Sequence, residues 1–134
     1  MTTALRFAAE ELKLGSRDVS MLEHLLASNP VAQEGHEALI TKRDFLSSLS
    51  PTAIASSTRE HLRQQHAIKG AVSQLATLRG TLRPPGDDTI EIQVVPLESI
   101  TFVTDSKFIR YRFNTSFLEL LRLIAQRHHL KALF

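Results

Sequence analysis

The segment Arg83-Pro84-Pro85-Gly86-Asp87-Asp88 divides the chain into two kinds of sequence. Two prolines remove consecutive backbone donors, and Gly-Asp-Asp favours a turn, so neither a helix nor a strand continues through it. Before this point apolar residues recur three and four positions apart. After it they alternate with polar ones until a last helical stretch begins. Helices first, then a few strands, then one helix predict an α+β domain with a small antiparallel sheet. The strands are too few to fold alone, so 83–88 is read as a connection inside one domain spanning 1–134.

Local signals place the helices. Leu5, Ala8, Ala9 and Leu12 form one stripe, with Gly15 as the stop. Ser16 reads as an N-cap before Val19, Leu22, Leu25 and Leu26, and Asn29-Pro30 ends that helix. Ala38-Leu39-Ile40 suits a short strand. Thr41-Lys42-Arg43-Asp44 resembles a helix start, with Asp44 in place of the usual Glu of a capping box. Ser50-Pro51 opens a further helix toward His66. A break at Gly70 and a second helical run through Val72, Leu75 and Leu78 to Gly80 follow.

In the second half, Ile90, Ile92 and Val94 alternate with Glu91 and Gln93, which predicts a strand that Pro96 ends. Ile100, Phe102 and Val103 predict a second strand, Asp105-Ser106 a turn, and Phe108 to Phe113 a third. These strands are expected to form a three-stranded ribbon beside the helices. Asn114 or Thr115 caps a final helix whose apolar arc, Phe117 to Ile124, is wide enough to require burial.

Composition narrows the chemistry. The chain has no cysteine, which removes disulfides and thiolate metal sites and fits a reducing, cytoplasmic setting. No apolar run approaches the ~20 residues of a membrane span. Its five glycines are scattered, so no phosphate-cradling loop is expected. His61 and His66 are five apart and His128 and His129 adjacent, spacings that do not put a metal pair on one helix face. Asp87-Asp88 reads as a turn former, and no base can be assigned to the serines of 47–57. No catalytic residue, metal or cofactor is expected, and the chain is read as a binding domain rather than an enzyme.

Charge is tilted along the chain. Residues 1–67 carry seven Lys/Arg against eight Asp/Glu, and residues 68–134 nine against six. Two helices joined near Ser50 and followed by a hairpin match a winged helix-turn-helix, which rests one helix on duplex DNA and touches the flanking backbone with the hairpin. Arg59, Arg63 and Lys69 on the helices, with Lys107, Arg110 and Arg112 on the hairpin, are the candidate phosphate contacts. The apolar residues Phe113, Phe117, Leu121, Ile124, Leu130 and Phe134 are candidates for a homodimer interface, since Leu-Lys-Ala-Leu-Phe is unusually apolar for a free tail. A protein-interaction or oligomerisation domain without DNA binding is the alternative.

Four stretches carry a family resemblance: R-D-V-S-M-L-E-H-L-L-A at 17–27, I-T-K-R-D-F at 40–45, A-V-S-Q-L-A-T-L-R-G-T-L-R with T-I-E-I-Q-V-V at 71–95, and S-I-T-F-V-T-D-S-K-F-I-R-Y-R-F-N-T-S-F-L-E-L-L at 99–121. Together they resemble the N-terminal winged-helix domain of theta-type plasmid replication initiators, the Rep proteins that bind origin repeats. The resemblance implies a dimerising domain with subsidiary phosphate contact, or a fragment of a longer protein. Such initiators usually carry two winged-helix domains, and the length here suits one. The stretch from Pro51 to Lys69 is longer than the family pattern needs, so the recognition helix could be 52–66 or 68–79.

Overall fold

In a computed structural model, which describes residues 3–49, 58–82, 86 and 89–134, the chain is a mixed α+β domain. Helix α1 spans Ala4–Leu12 and α2 spans Ser16–Ser28. A 3-10 turn at Pro30–Glu34 leads to strand β1, Ala38–Thr41. Helices α3, Lys42–Leu49, and α4, Thr58–Ala76, come next. Strands β2 (Gly80–Leu82), β3 (Ile92–Val94), β4 (Leu97–Phe102) and β5 (Phe108–Phe113) precede helix α5, Thr115–Arg127. The expected helix start at Ser50-Pro51 lies outside the described residues.

Several ends follow from local chemistry. The Thr3 hydroxyl accepts the Arg6 amide at 3.2 Å and caps α1. That helix stops earlier than Gly15, at Lys13 in the left-handed region, and Gly15 instead precedes α2 as its extended cap residue. The Asn114 side chain accepts the Ser116 amide at 3.1 Å, which settles the cap of α5. Thr41 Oγ1 accepts the Asp44 amide at 3.1 Å, as the capping pattern predicts.

Two further local expectations fail. Helix α4 passes through Gly70 without a break. A Cβ there would meet nothing within 4 Å, so glycine costs only its propensity of ~1 kcal/mol. Burial of Ile68, Ala71, Val72 and Leu75 on the other side outweighs that cost. The helix also ends short of Gly80, because 80–82 forms a strand paired with β3.

That pairing changes the sheet. β3 does not join β4 and β5 in a ribbon. The three-stranded sheet has the order β1-β5-β4, all antiparallel, with Ile40 opposite Ile109 and Ile100 opposite Tyr111. β5 is therefore the central strand, and β1 comes from far earlier in the chain. A register shift between Leu97 and Ser99 bends β4 near its start.

One face of this sheet is turned to the core. Ala38, Ile40, Ile100, Ile109, Tyr111 and Phe113 pack with Leu22, Leu25, Leu26, Phe45, Leu75 and Phe117. Helices α1 and α5 close the other side of that core and touch each other. Among the described residues no helix is long and apolar enough to cross a membrane.

Candidate nucleic-acid interface

The elements around the β4–β5 turn bring polar and cationic side chains into one concave surface. β1 ends where α3 begins, and α3 begins beside the turn: the Lys42 amide donates to the Lys107 carbonyl at 2.8 Å. Helix α4 lies against β4. Between α3, α4 and the turn runs a groove of about 610 Å³, lined by Thr41, Lys42, Arg43, Gln64, Gln65, Ser106 and Lys107 among others. Three cationic residues, Lys42, Arg43 and Lys107, and one carboxylate, Asp105, line it. Leu46 and Ile68 form apolar parts of its wall.

This surface has donors of two kinds. Arg43 and Lys107 are exposed and suit phosphate oxygens. Gln64 and Gln65, half-buried on adjacent positions of α4, offer both a donor and an acceptor, as base edges require. The turn itself is ordered by two local bonds. The Ser106 amide donates to the Val103 carbonyl at 3.2 Å, and the Phe108 amide to Ser106 Oγ at 3.1 Å.

The structure gathers only some of the six cations expected from sequence. Lys107 lines the groove. Arg63 is exposed on α4, five residues before Ile68 and so on the side away from the buried stripe. Lys69 is exposed, with its ammonium 5.3 Å from the centre of the Phe102 ring at the foot of the turn. Arg59 belongs to α4, but its side chain lies outside the described residues. Arg110 and Arg112 stand apart. They alternate with the buried Ile109, Tyr111 and Phe113, so they project from the outer face of the sheet. There Glu37 pairs with both, at 3.1 Å to Arg110 and 3.9 Å to Arg112.

Lys42 and Arg43 were visible in the sequence only as the start of a helix. Their adjacency to Thr41 in a capping pattern was the one local signal, and it predicts a helix end rather than a surface. The pairing of β1 with β5 is what carries them to the turn.

The expected dimer residues need correction. Phe113, Phe117, Leu121 and Ile124 are buried within this chain's own core, three of them completely. They cannot serve a partner without opening the domain. Leu130 and Phe134 are partly buried against the same core. The tail is not free either: the Ala4 and Leu5 amides donate to the Ala132 and Leu133 carbonyls, at 3.2 and 2.8 Å.

Exposed apolar side chains lie elsewhere. Leu123 on α5 is 58% exposed and Ile92 on β3 is 45% exposed. Both line a cleft of about 860 Å³ between α1, α5 and the β2–β3 pair, with Leu82 and Leu120. Among the described residues no three histidine, aspartate or glutamate side chains come together in a group that could hold a metal ion.

Comparison of the chain with protein-family models, with curated proteins and with solved structures gives no match.

Proposed function

We propose that this chain is a winged-helix domain that binds duplex DNA, chiefly through phosphates, with α3, α4 and the β4–β5 turn as its contact surface. The observation that carries the reading is the order and pairing of elements. A helix (α2), a strand (β1) and two helices (α3 and α4) precede a hairpin (β4–β5), with the separate β2–β3 pair between α4 and the hairpin, and the last strand of the hairpin lies between β1 and the hairpin's other arm. This connectivity sets a hairpin beside a helix pair, as a winged helix-turn-helix requires. The cationic groove sits where those parts meet.

In this reading α4 is the helix that approaches the duplex. Its Gln64 and Gln65 face the groove, Arg63 extends from its open side, and Lys107 and Arg43 hold backbone phosphates. The resemblance to replication initiators makes an origin repeat the first duplex to try. The test is fluorescence anisotropy with labelled duplexes from 50 to 300 mM salt. Phosphate contact predicts affinity that falls linearly on a log–log plot, by ~0.9 for each contact. A flat line, or no binding at the lowest salt, would remove the reading.

Dimerisation is a second part of the proposal, and it is moved to a different face. The cleft there carries two exposed apolar side chains, Leu123 and Ile92, beside the partly buried Leu82 and Leu120 and a charged rim that includes Lys13, Arg79 and Arg127, a mixture that suits a protein contact surface. The same face supports the alternative reading, a protein-interaction domain without DNA binding.

A further inference from the structure

Lys42 is the first residue of α3, yet it is 92% buried, with only 8% of its surface exposed. A lysine loses several favourable water contacts on burial, so its ammonium must be satisfied from within. It is. Nζ donates to the Val103 carbonyl at 2.6 Å and toward the Thr104 carbonyl at 3.4 Å, and lies 4.0 Å from the centre of the Phe102 ring. Among the described residues no carboxylate pairs with it. The same residue's amide donates to the Lys107 carbonyl at 2.8 Å. One residue therefore grips both arms of the β4–β5 turn, the β4 side by its side chain and the β5 side by its backbone. Lys69 of α4 reaches the same Phe102 ring, which links α4 to the foot of the turn.

We infer that Lys42 is a positioning residue: it fixes the β4–β5 turn at one angle to α3 and α4, and so sets the spacing between Lys107 on the turn and Gln64 and Gln65 on α4. This rests on the duplex-binding reading for its functional consequence, but not for the grip itself. An exposed hairpin tip would otherwise be among the most mobile parts of a small sheet, and a mobile tip pays its ordering entropy when it binds. A charge-assisted hydrogen bond to a carbonyl is among the stronger local ties available to hold it. The contribution is geometric. Lys42 holds the site in shape and does not itself touch a phosphate.

The two roles separate by salt dependence. Lys42→Met keeps an unbranched side chain on Phe102 and removes the charge and donors. It is expected to weaken duplex binding about tenfold, the loss of one charge-assisted bond, with the slope of log affinity against log salt unchanged. Lys107→Ala, a phosphate contact, lowers that slope by about 0.9. Amide hydrogen exchange across 103–107 is expected to quicken in Lys42→Met. If that variant does not fold, Phe102→Leu removes the ring under both ammonium groups, leaves the surface charge intact and predicts weaker duplex binding, an unchanged salt slope and faster exchange across 103–107. Wild-type affinity with unchanged exchange overturns the inference, and so does a lowered slope, which would make Lys42 a phosphate contact. If the wild-type chain binds no duplex, the functional reading falls. Exchange then decides the grip alone, upheld by faster and overturned by unchanged rates at 103–107.

Discussion

Tyr111 on the central strand donates its hydroxyl hydrogen to the Leu25 carbonyl of α2 at 2.6 Å. The ring is fully buried, edge-on to Phe113 at 6.2 Å between centroids. This bond ties the sheet to the second helix through the middle of the core. A phenol so placed cannot shed its proton cheaply, and burial raises its pKa from 10.0 to about 12.

That shift makes stability depend on alkali. Between pH 10 and about 12 the unfolded chain gives up the Tyr111 proton while the folded chain keeps it. The native state then binds more protons, so stability falls as pH rises, by about 1.4 kcal/mol per unit for this group. Below pH 10 the contribution is intact. Urea unfolding at pH 9, 10 and 11 should show the decline, and Tyr111→Phe should lose it at a cost near 1 kcal/mol at neutral pH. Equal pH slopes for the two proteins would mean that another group governs alkaline unfolding.

The C-terminal segment acts as a cap for the first helix. Ala4 and Leu5, the first two residues of α1, have no carbonyl of their own helix to bond, and Ala132 and Leu133 supply them. Phe7 also stacks on His128 at 4.5 Å, just past the end of α5. Deleting 130–134 should cost roughly 2–4 kcal/mol, from the lost backbone hydrogen bonds of Leu130, Ala132 and Leu133 and the partly buried Leu130, Leu133 and Phe134. Thermal unfolding of the shortened chain checks this, and an unchanged midpoint would show the segment to be passive.

Gly80 begins β2 where the strand crosses α1. A Cβ at this position would fall 2.6 Å from the Leu12 Cβ, a contact that only backbone movement relieves. Gly80→Ala is expected to destabilise the domain by ~1–3 kcal/mol through overpacking. Gly70→Ala serves as the contrast, because it meets nothing and should stabilise α4 by up to ~1 kcal/mol. Denaturation midpoints moving in the same direction would contradict the packing account.

The two arginines of β5 supply a control for the DNA proposal. Arg110 and Arg112 share Glu37 on the outer face of the sheet, away from the groove. Arg110→Ala should leave the salt slope of duplex binding where it is, whereas Lys107→Ala reduces it by ~0.9. A reduced slope in Arg110→Ala would move the contact surface to the outer face.

For self-association, Leu123→Glu is the informative change. The side chain is largely exposed, so the fold should tolerate the charge, while a dimer built on that cleft should dissociate. Light scattering across a concentration series measures it. A dimer that survives Leu123→Glu uses some other face.

The sequence by itself determined where most elements lie, because the rules that place them are local. The caps at Thr41 and Asn114 and the stripes of α1, α2 and α5 each depend on residues a few positions apart. Tertiary structure alone decided which strands pair, since Ala38 meets Tyr111 and Gly80 meets Val94 across long separations that no local pattern encodes. From that pairing everything else about the site follows. It buries Phe113 and Phe117 in the chain's own core, neutralises Arg110 beside Glu37, and turns Lys42 from the first residue of a helix into the anchor of a hairpin. Apolar and charged side chains advertise what they can do. Whether they face the core, a counter-ion or solvent is settled only when distant segments close around them.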